Sequence, residues 1–146
     1  VHPMKTLDDG STWRAIVAGR PRHVLVVGGG YIGVEAAEAL ARRGVRTTLL
    51  TRREPMAASL VPEQRARVRA GLEAIGVTVV GGAEIAGAER GPDHPTPVTL
   101  TTTTGDEHTG DAVAREHLPA GDVPFAGSFR SAVRRGREAR SQLVRQ

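Results

Sequence analysis

The chain has 146 residues, 39% of them hydrophobic, 25% charged and only 3% aromatic, which allows one domain of ordinary size with an aliphatic core. It contains no cysteine, which excludes a disulfide scaffold, a thiolate nucleophile, a CxxC redox pair and a Cys-ligated metal or iron–sulfur centre within these residues. The formal charge of +4 is uneven: six arginines and one acid fall in residues 127–146, and the rest of the chain is close to neutral.

Residues 1–10 read as an extended lead-in. Ser11 to Ala18 reads as a short helix, with Asp8 or Asp9 as its cap and Trp13, Ile16 and Val17 on its apolar side. Gly19 and Pro21 end it. His23–Val27, HVLVV, is a short apolar run between turn residues and predicts a buried parallel strand. The glycine loop Gly28–Gly33 follows, and IGVEAAEALARR predicts a helix from Tyr31 to Arg43 that stops at Gly44. Arg46–Thr51, RTTLLT, predicts a second strand. Pro62 opens a helix running to about Ile75, Gly76 ends it, and Val77–Val80 is a third strand. The order strand–helix–strand–helix–strand calls for a parallel α/β sheet.

The pattern changes after Gly81. Glu84–Glu89 and Pro97–Thr103 read as strands joined by a turn at 91–97, Asp106–Gly110 as a second turn, and Asp111–Ala114 as the start of a third strand, together an antiparallel meander. Residues 115–127 hold prolines and glycines with no periodic apolar pattern and read as a linker. Ser128–Val144 has a thin apolar stripe and reads as a weakly docked helix. The expected fold is α/β, a Rossmann-like parallel sheet with a βαβαβ core plus an antiparallel β-meander. The expected divisions are a lead-in and short helix at 1–20, the nucleotide-binding body at 21–114, and a divergent linker and basic tail at 115–146. No apolar run approaches the roughly 18–20 residues of a membrane helix, and no basic start followed by an apolar stretch marks a leader. A cytoplasmic location is the expectation.

The informative segment is VLVVGGGYIGVE, residues 24–35. Its Gly28-x-Gly30-x-x-Gly33 follows a strand directly and opens a helix, the context in which this spacing reads as a dinucleotide fingerprint. The first glycine allows the tight turn, the second lets the backbone approach a pyrophosphate, and the third lets helix and strand pack closely. Gly29, Tyr31 and Ile32 complete the loop, and the helix N-terminus offers N–H groups and the positive end of its dipole to an anion. A glycine-rich turn without a ligand is the plainer alternative.

The end of the second strand bears on which dinucleotide. An acid there would accept the adenosine ribose hydroxyls, but this chain has Thr51, then Arg52 and Arg53. Two guanidinium groups beside a hydroxyl suit a 2′-phosphate, so NADP(H) is favoured over NAD(H). The alternative is a solvated loop in which Glu54 partly neutralises the two arginines, which leaves NAD open. Tyr31 and Glu35 lie four residues apart on one helix face. They read equally as a face toward the nicotinamide half of the cofactor or as an exposed tyrosine and a first-turn glutamate.

With the LDD…WRAIV helix before it and the TTLL strand after it, GGGYIGVEAAEALARRG resembles the NAD(P)H-binding domain of the FAD-dependent pyridine nucleotide–disulfide oxidoreductases, in the coenzyme A-disulfide reductase and NADH oxidase branch. The resemblance covers roughly residues 5–113. It implies that Gly28, Gly30 and Gly33 form the pyrophosphate loop, that Tyr31 shields the flavin until nicotinamide arrives, and that Glu35 lies near the nicotinamide ribose and amide. It also implies that Thr51 stands where NAD-specific members carry an acid, and that Arg52 meets a 2′-phosphate. Hydride would then pass from NAD(P)H to FAD.

The departures are specific. The family has a further glycine loop for FAD, and this chain has one loop. It also lacks the redox cysteines. After GDAV, AREHLPAGDVPFAG and the Arg-rich end fit nothing in the family, so a domain cut from a longer enzyme, without its final sheet strand, is expected. FAD would enter only through a flavin-bearing domain or chain elsewhere, and the chain alone is expected not to turn over substrate. The rival function is a non-catalytic module that binds or senses NADP(H). The five histidines show no metal-ligand spacing, the serines sit in no nucleophile elbow, and no catalytic residue or metal is assigned. The terminal arginines lack an aromatic platform or reader motif, so nucleic acid is not an expected partner.

Overall fold

The computed structural model describes residues 1–4, 7–90 and 97–116. The expected 128–144 helix, the basic tail and most of the 91–97 turn lie outside the described residues. The elements in chain order are β1 (His2–Pro3), α1 (Leu7–Ala18), β2 (His23–Val27), α2 (Tyr31–Arg42), β3 (Arg46–Thr51), α3 (Pro62–Ala74), β4 (Val77–Gly81), β5 (Ile85–Arg90), β6 (Val98–Thr102), β7 (Glu107–Gly110) and β8 (Ala112–Arg115).

Five strands form a parallel sheet in the order β1-β8-β2-β3-β4, and β5-β6-β7 form a separate antiparallel sheet. The alternation of side chains along a strand divides the core in two. On one face of the parallel sheet, Val24, Val26, Leu49, Ala112 and Ala114 pack with Trp13, Ala36, Ala37, Leu40 and Leu72 from the three helices. On the other, Leu25, Leu50 and Val113 pack with Val98 and Leu100 of the antiparallel sheet. The result is three layers, helices on one side of the parallel sheet and the small sheet on the other, as an α/β fold requires.

The βαβαβ core matches its expectation closely. β2 and β3 have the expected bounds, and α2 and α3 end before Gly44 and Gly76. Pro62 stands at the first turn of α3, where its missing N–H costs nothing.

Three expectations need correction. First, α1 begins at Leu7 rather than Ser11, so Asp8 and Asp9 lie in its first turn instead of capping it. Acidic side chains there complement the positive end of the helix dipole. Second, the segment expected as a turn at Asp106–Gly110 contains strand β7, whose Glu107–Gly110 pairs residue for residue with β6. Third, the strand after it does not extend the meander, and the final strand of the parallel sheet is not missing. Ala112–Arg115 is β8, parallel to β2 with Val24 opposite Ala112 and Val26 opposite Ala114.

The physical reason is a clamp at the strand entrances: the Asp111 carboxylate accepts hydrogen bonds from the backbone N–H groups of Arg22 at 2.6 Å and His23 at 3.0 Å. Gly110 allows the approach, since a methyl there would meet Leu25 Cγ at 2.8 Å. Residues at the N-terminus also join the sheet. β1 pairs with β8, and the Trp13 indole N–H donates to the Pro3 carbonyl at 3.0 Å, tying α1 to that edge. No helix among the described residues is long and apolar enough to cross a membrane.

Candidate functional site

β2 leads to β3 on one side of itself, while the returning chain places β8 on the other. At such a reversal of strand order the loops leave in opposite directions and open a crevice beyond the carboxyl ends of the strands. A cleft of about 680 Å³ lies there, lined by Val27–Gly30 after β2, Leu50–Glu54 at the end of β3, Met56–Ser59, Ala83–Ile85, and Arg115 and Glu116 at the end of β8. Its size falls in the range of roughly 300–1,000 Å³ common to small-molecule sites.

The glycine loop forms its floor. Gly28 turns the chain out of β2 with φ +116°, a conformation that L side chains rarely adopt. Its N–H still donates to the Leu50 carbonyl at 2.9 Å, so the turn starts only after the last ladder bond. Gly30 is the N-cap of α2 and supplies no side-chain cap. The third glycine is required by packing: a methyl on Gly33 would collide with the Gly28 carbonyl. Gly29 is equally confined, because a methyl there would run into the Thr51 side chain.

The β3 loop is tied to this floor. The Met56 N–H donates to the Gly29 carbonyl at 2.6 Å, and Met56 is buried with φ +60°, in the left-handed region that residues with a Cβ rarely adopt. Thr51 is buried and its hydroxyl donates to the Arg53 carbonyl at 2.6 Å, which folds the chain sharply after the strand. That turn leaves Arg52 and Arg53 exposed at the cleft wall. Glu54, the acid that would neutralise them in the solvated-loop alternative, is bound elsewhere. Arg69 of α3 donates to both of its oxygens, at 2.8 and 3.2 Å, and also to Glu73 at 2.9 Å. The Arg69 hydrogen bonds hold the Glu54 carboxyl below its ordinary range. Neither Arg52 nor Arg53 makes an ion pair among the described residues.

The structure therefore brings Gly28, Gly29, Gly30, Thr51, Arg52 and Arg53 together in one cleft. Gly33 stands behind the loop as a packing contact. Ile32 is half-buried, and Tyr31 and Glu35 are exposed on α2; none of the three lines the cleft. Tyr31 is 60% exposed, the largest aromatic surface left open among the described residues.

One residue of the site escaped the sequence reading. Glu116 lies in the expected linker, yet its backbone N–H donates to the Val27 carbonyl at 3.3 Å and its carboxylate accepts the Gly30 N–H at 3.2 Å. No local signal marks it: only the pairing of Ala112–Arg115 with β2, which the short AVAR run does not reveal, opens Glu116 onto this crevice.

The family model for pyridine nucleotide-disulphide oxidoreductases matches residues 2–115. The chain belongs to this family. Its members use FAD and NAD(P)H. Mercuric reductase of Streptomyces lividans is 40% identical over 63 residues, which cover 40% of this family member and 12% of the reductase. Among solved structures, the covalent putidaredoxin reductase–putidaredoxin complex superposes with a TM-score of 0.71 at 24% identity, over 79% of this chain and 28% of the other. The water-forming NADH oxidase of Lactobacillus brevis bound to NADH gives 0.69 at 19% identity, over 77% and 24%. These likenesses show the fold. The chain spans 6–12% of the curated relatives it matches and under a third of the matched solved chains.

Proposed function

We propose that this chain is the NAD(P)H-binding domain of an FAD-dependent oxidoreductase of its family, and that it holds nicotinamide in place for hydride transfer to a flavin. The observation that carries the reading is the glycine loop opening α2 at the reversal of strand order: Gly28 and Gly30 put no side chain of their own in front of the backbone, and only the Glu116 carboxylate, itself an anion, stands there. That space suits a diphosphate, which the N-terminal N–H groups and dipole of α2 would bind. A bound nicotinamide dinucleotide supplies the hydride. The protein supplies binding and orientation.

Arg52 and Arg53 favour NADP(H). Both are exposed at the cleft wall, and the carboxylate that follows them is engaged by Arg69. A forked guanidinium matches a 2′-phosphate in charge and shape. The flavin belongs to a separate domain or chain, and the exposed Tyr31 and Glu35 are the surface of α2 offered to it.

Calorimetric titration of the full chain with NADPH and NADH tests this reading. Saturable binding of both is expected, with NADPH the tighter. No heat with either at millimolar ligand would overturn it.

A further inference from the structure

The Glu116 carboxylate occupies the space that the glycine loop keeps open. A methyl group built on Gly30 would meet its Oε1 at 2.5 Å and Oε2 at 2.8 Å, and one on Gly28 would meet Oε2 at 3.0 Å. Oε2 also accepts the N–H of Gly30, the N-cap of α2. The two glycines whose missing side chains make room for a diphosphate thus make room here for an internal carboxylate of the same charge sign. A phosphate oxygen accepting the Gly30 N–H would stand where Glu116 Oε2 now stands.

We infer that Glu116 is a tethered anion that competes with the dinucleotide's diphosphate for the α2 N-terminus, and so sets the affinity of the site. This rests on the nucleotide reading above. The backbone of Glu116 is anchored through its N–H to Val27, so the carboxylate stays beside the cradle at high local concentration. Its withdrawal needs only a turn of the half-buried side chain and leaves β8 in the sheet. A ligand phosphate gains the helix terminus only by displacing a charge-assisted hydrogen bond already in place.

The competition concerns the diphosphate, which NADPH and NADH share. Glu116→Ala therefore tightens both dinucleotides by about the same factor, roughly tenfold for one displaced charge-assisted bond. Arg52 would separate the two. Glu116→Gln keeps the side-chain length and removes the charge, and falls between.

The experiment titrates the full-chain wild type, Glu116→Ala and Glu116→Gln with NADPH, NADH and inorganic pyrophosphate by calorimetry. The Gly30 amide resonance is followed by NMR without ligand, and circular dichroism checks that each variant is folded. Tighter binding of all three ligands to the alanine variant, with a displaced Gly30 resonance, supports the competition. Equal or weaker binding of the dinucleotides to the variant, with the wild type also binding, overturns it and leaves the nucleotide reading standing. Pyrophosphate that binds more tightly to the variant while neither dinucleotide binds either protein would keep Glu116 as the displaced anion and overturn the nucleotide reading instead. An unmoved Gly30 resonance in both variants would remove the contact itself.

Discussion

Arg69 grips Glu54 through two hydrogen bonds, at 2.8 and 3.2 Å, and takes up the carboxylate that directly follows Arg52 and Arg53. The pair is partly exposed and solvent-screened, so it adds little stability. Its effect is on the charge of the cleft wall.

Cofactor choice follows from this pairing. Arg52→Glu is expected to weaken NADPH by about tenfold or more and NADH by under about threefold, because only NADPH presents a phosphate to a lost guanidinium. Glu54→Gln should leave NADPH affinity within about twofold, since its charge is already matched by Arg69. Titrations of both variants with both dinucleotides check this. A tightening of NADPH by Glu54→Gln would show that Glu54 does neutralise the two arginines.

The glycines predict opposite signs. Gly33→Ala pushes a methyl into the Gly28 carbonyl, and backbone cannot yield as a side-chain tip can. A loss of roughly 3 kcal/mol is expected. Gly71 lies inside α3 with nothing within 4 Å of a built methyl. Gly71→Ala should stabilise by about 0.5–1 kcal/mol through helix propensity and a less flexible unfolded chain. Urea unfolding of the two variants beside wild type measures both.

His23 makes stability fall in mild acid. Its ring Nε2 lies 2.8 Å from Thr48 Oγ1. Burial and then the Arg46 charge push its pKa below the ordinary 6.5, with His108 adding to them, while the Thr109 backbone and Asp111 oppose. The unfolded chain therefore binds this proton more readily than the folded one. Stability is full above about pH 6.5 and declines as pH drops through that value toward the lower folded pKa. His2 is shifted in the same direction, chiefly by burial. Melting temperatures between about pH 8 and pH 5.5 should fall less in His23→Gln than in wild type. A parallel fall in the two would refute it.

The core of this fold is legible because its signals are local. HVLVV and RTTLLT are apolar runs between turn residues, and the helices end two residues before Gly44 and Gly76. The misread parts depend on partners far along the chain. EHTG, residues 107–110, has no apolar alternation and becomes a strand only because β6 offers a ladder to pair with. Ala112–Arg115 is too short to reveal which sheet it joins, and Asp111 decides this by bonding to backbone 88 and 89 residues earlier. Glu116 is invisible for the same reason: its contact to Gly30 spans 86 residues. Helical spacing puts Tyr31 and Glu35 on a common side of α2, but the direction of that side is set by how the helix docks on the sheet, with Ala36, Ala37 and Leu40 inward.

The seat of β8 between β1 and β2 also orders the events of synthesis. Until residues 112–115 leave the ribosome, β2 has a bare edge, β1 has no strand to pair with among the described residues, and Leu25 and Leu50 lack Val113, although the small sheet that packs on them is already synthesised. Closing so long a loop is slow compared with the pairing of β2, β3 and β4. Until then only β2, β3 and β4 can pair in the parallel sheet, and the open β2 edge is a template for wrong pairing that β8 closes.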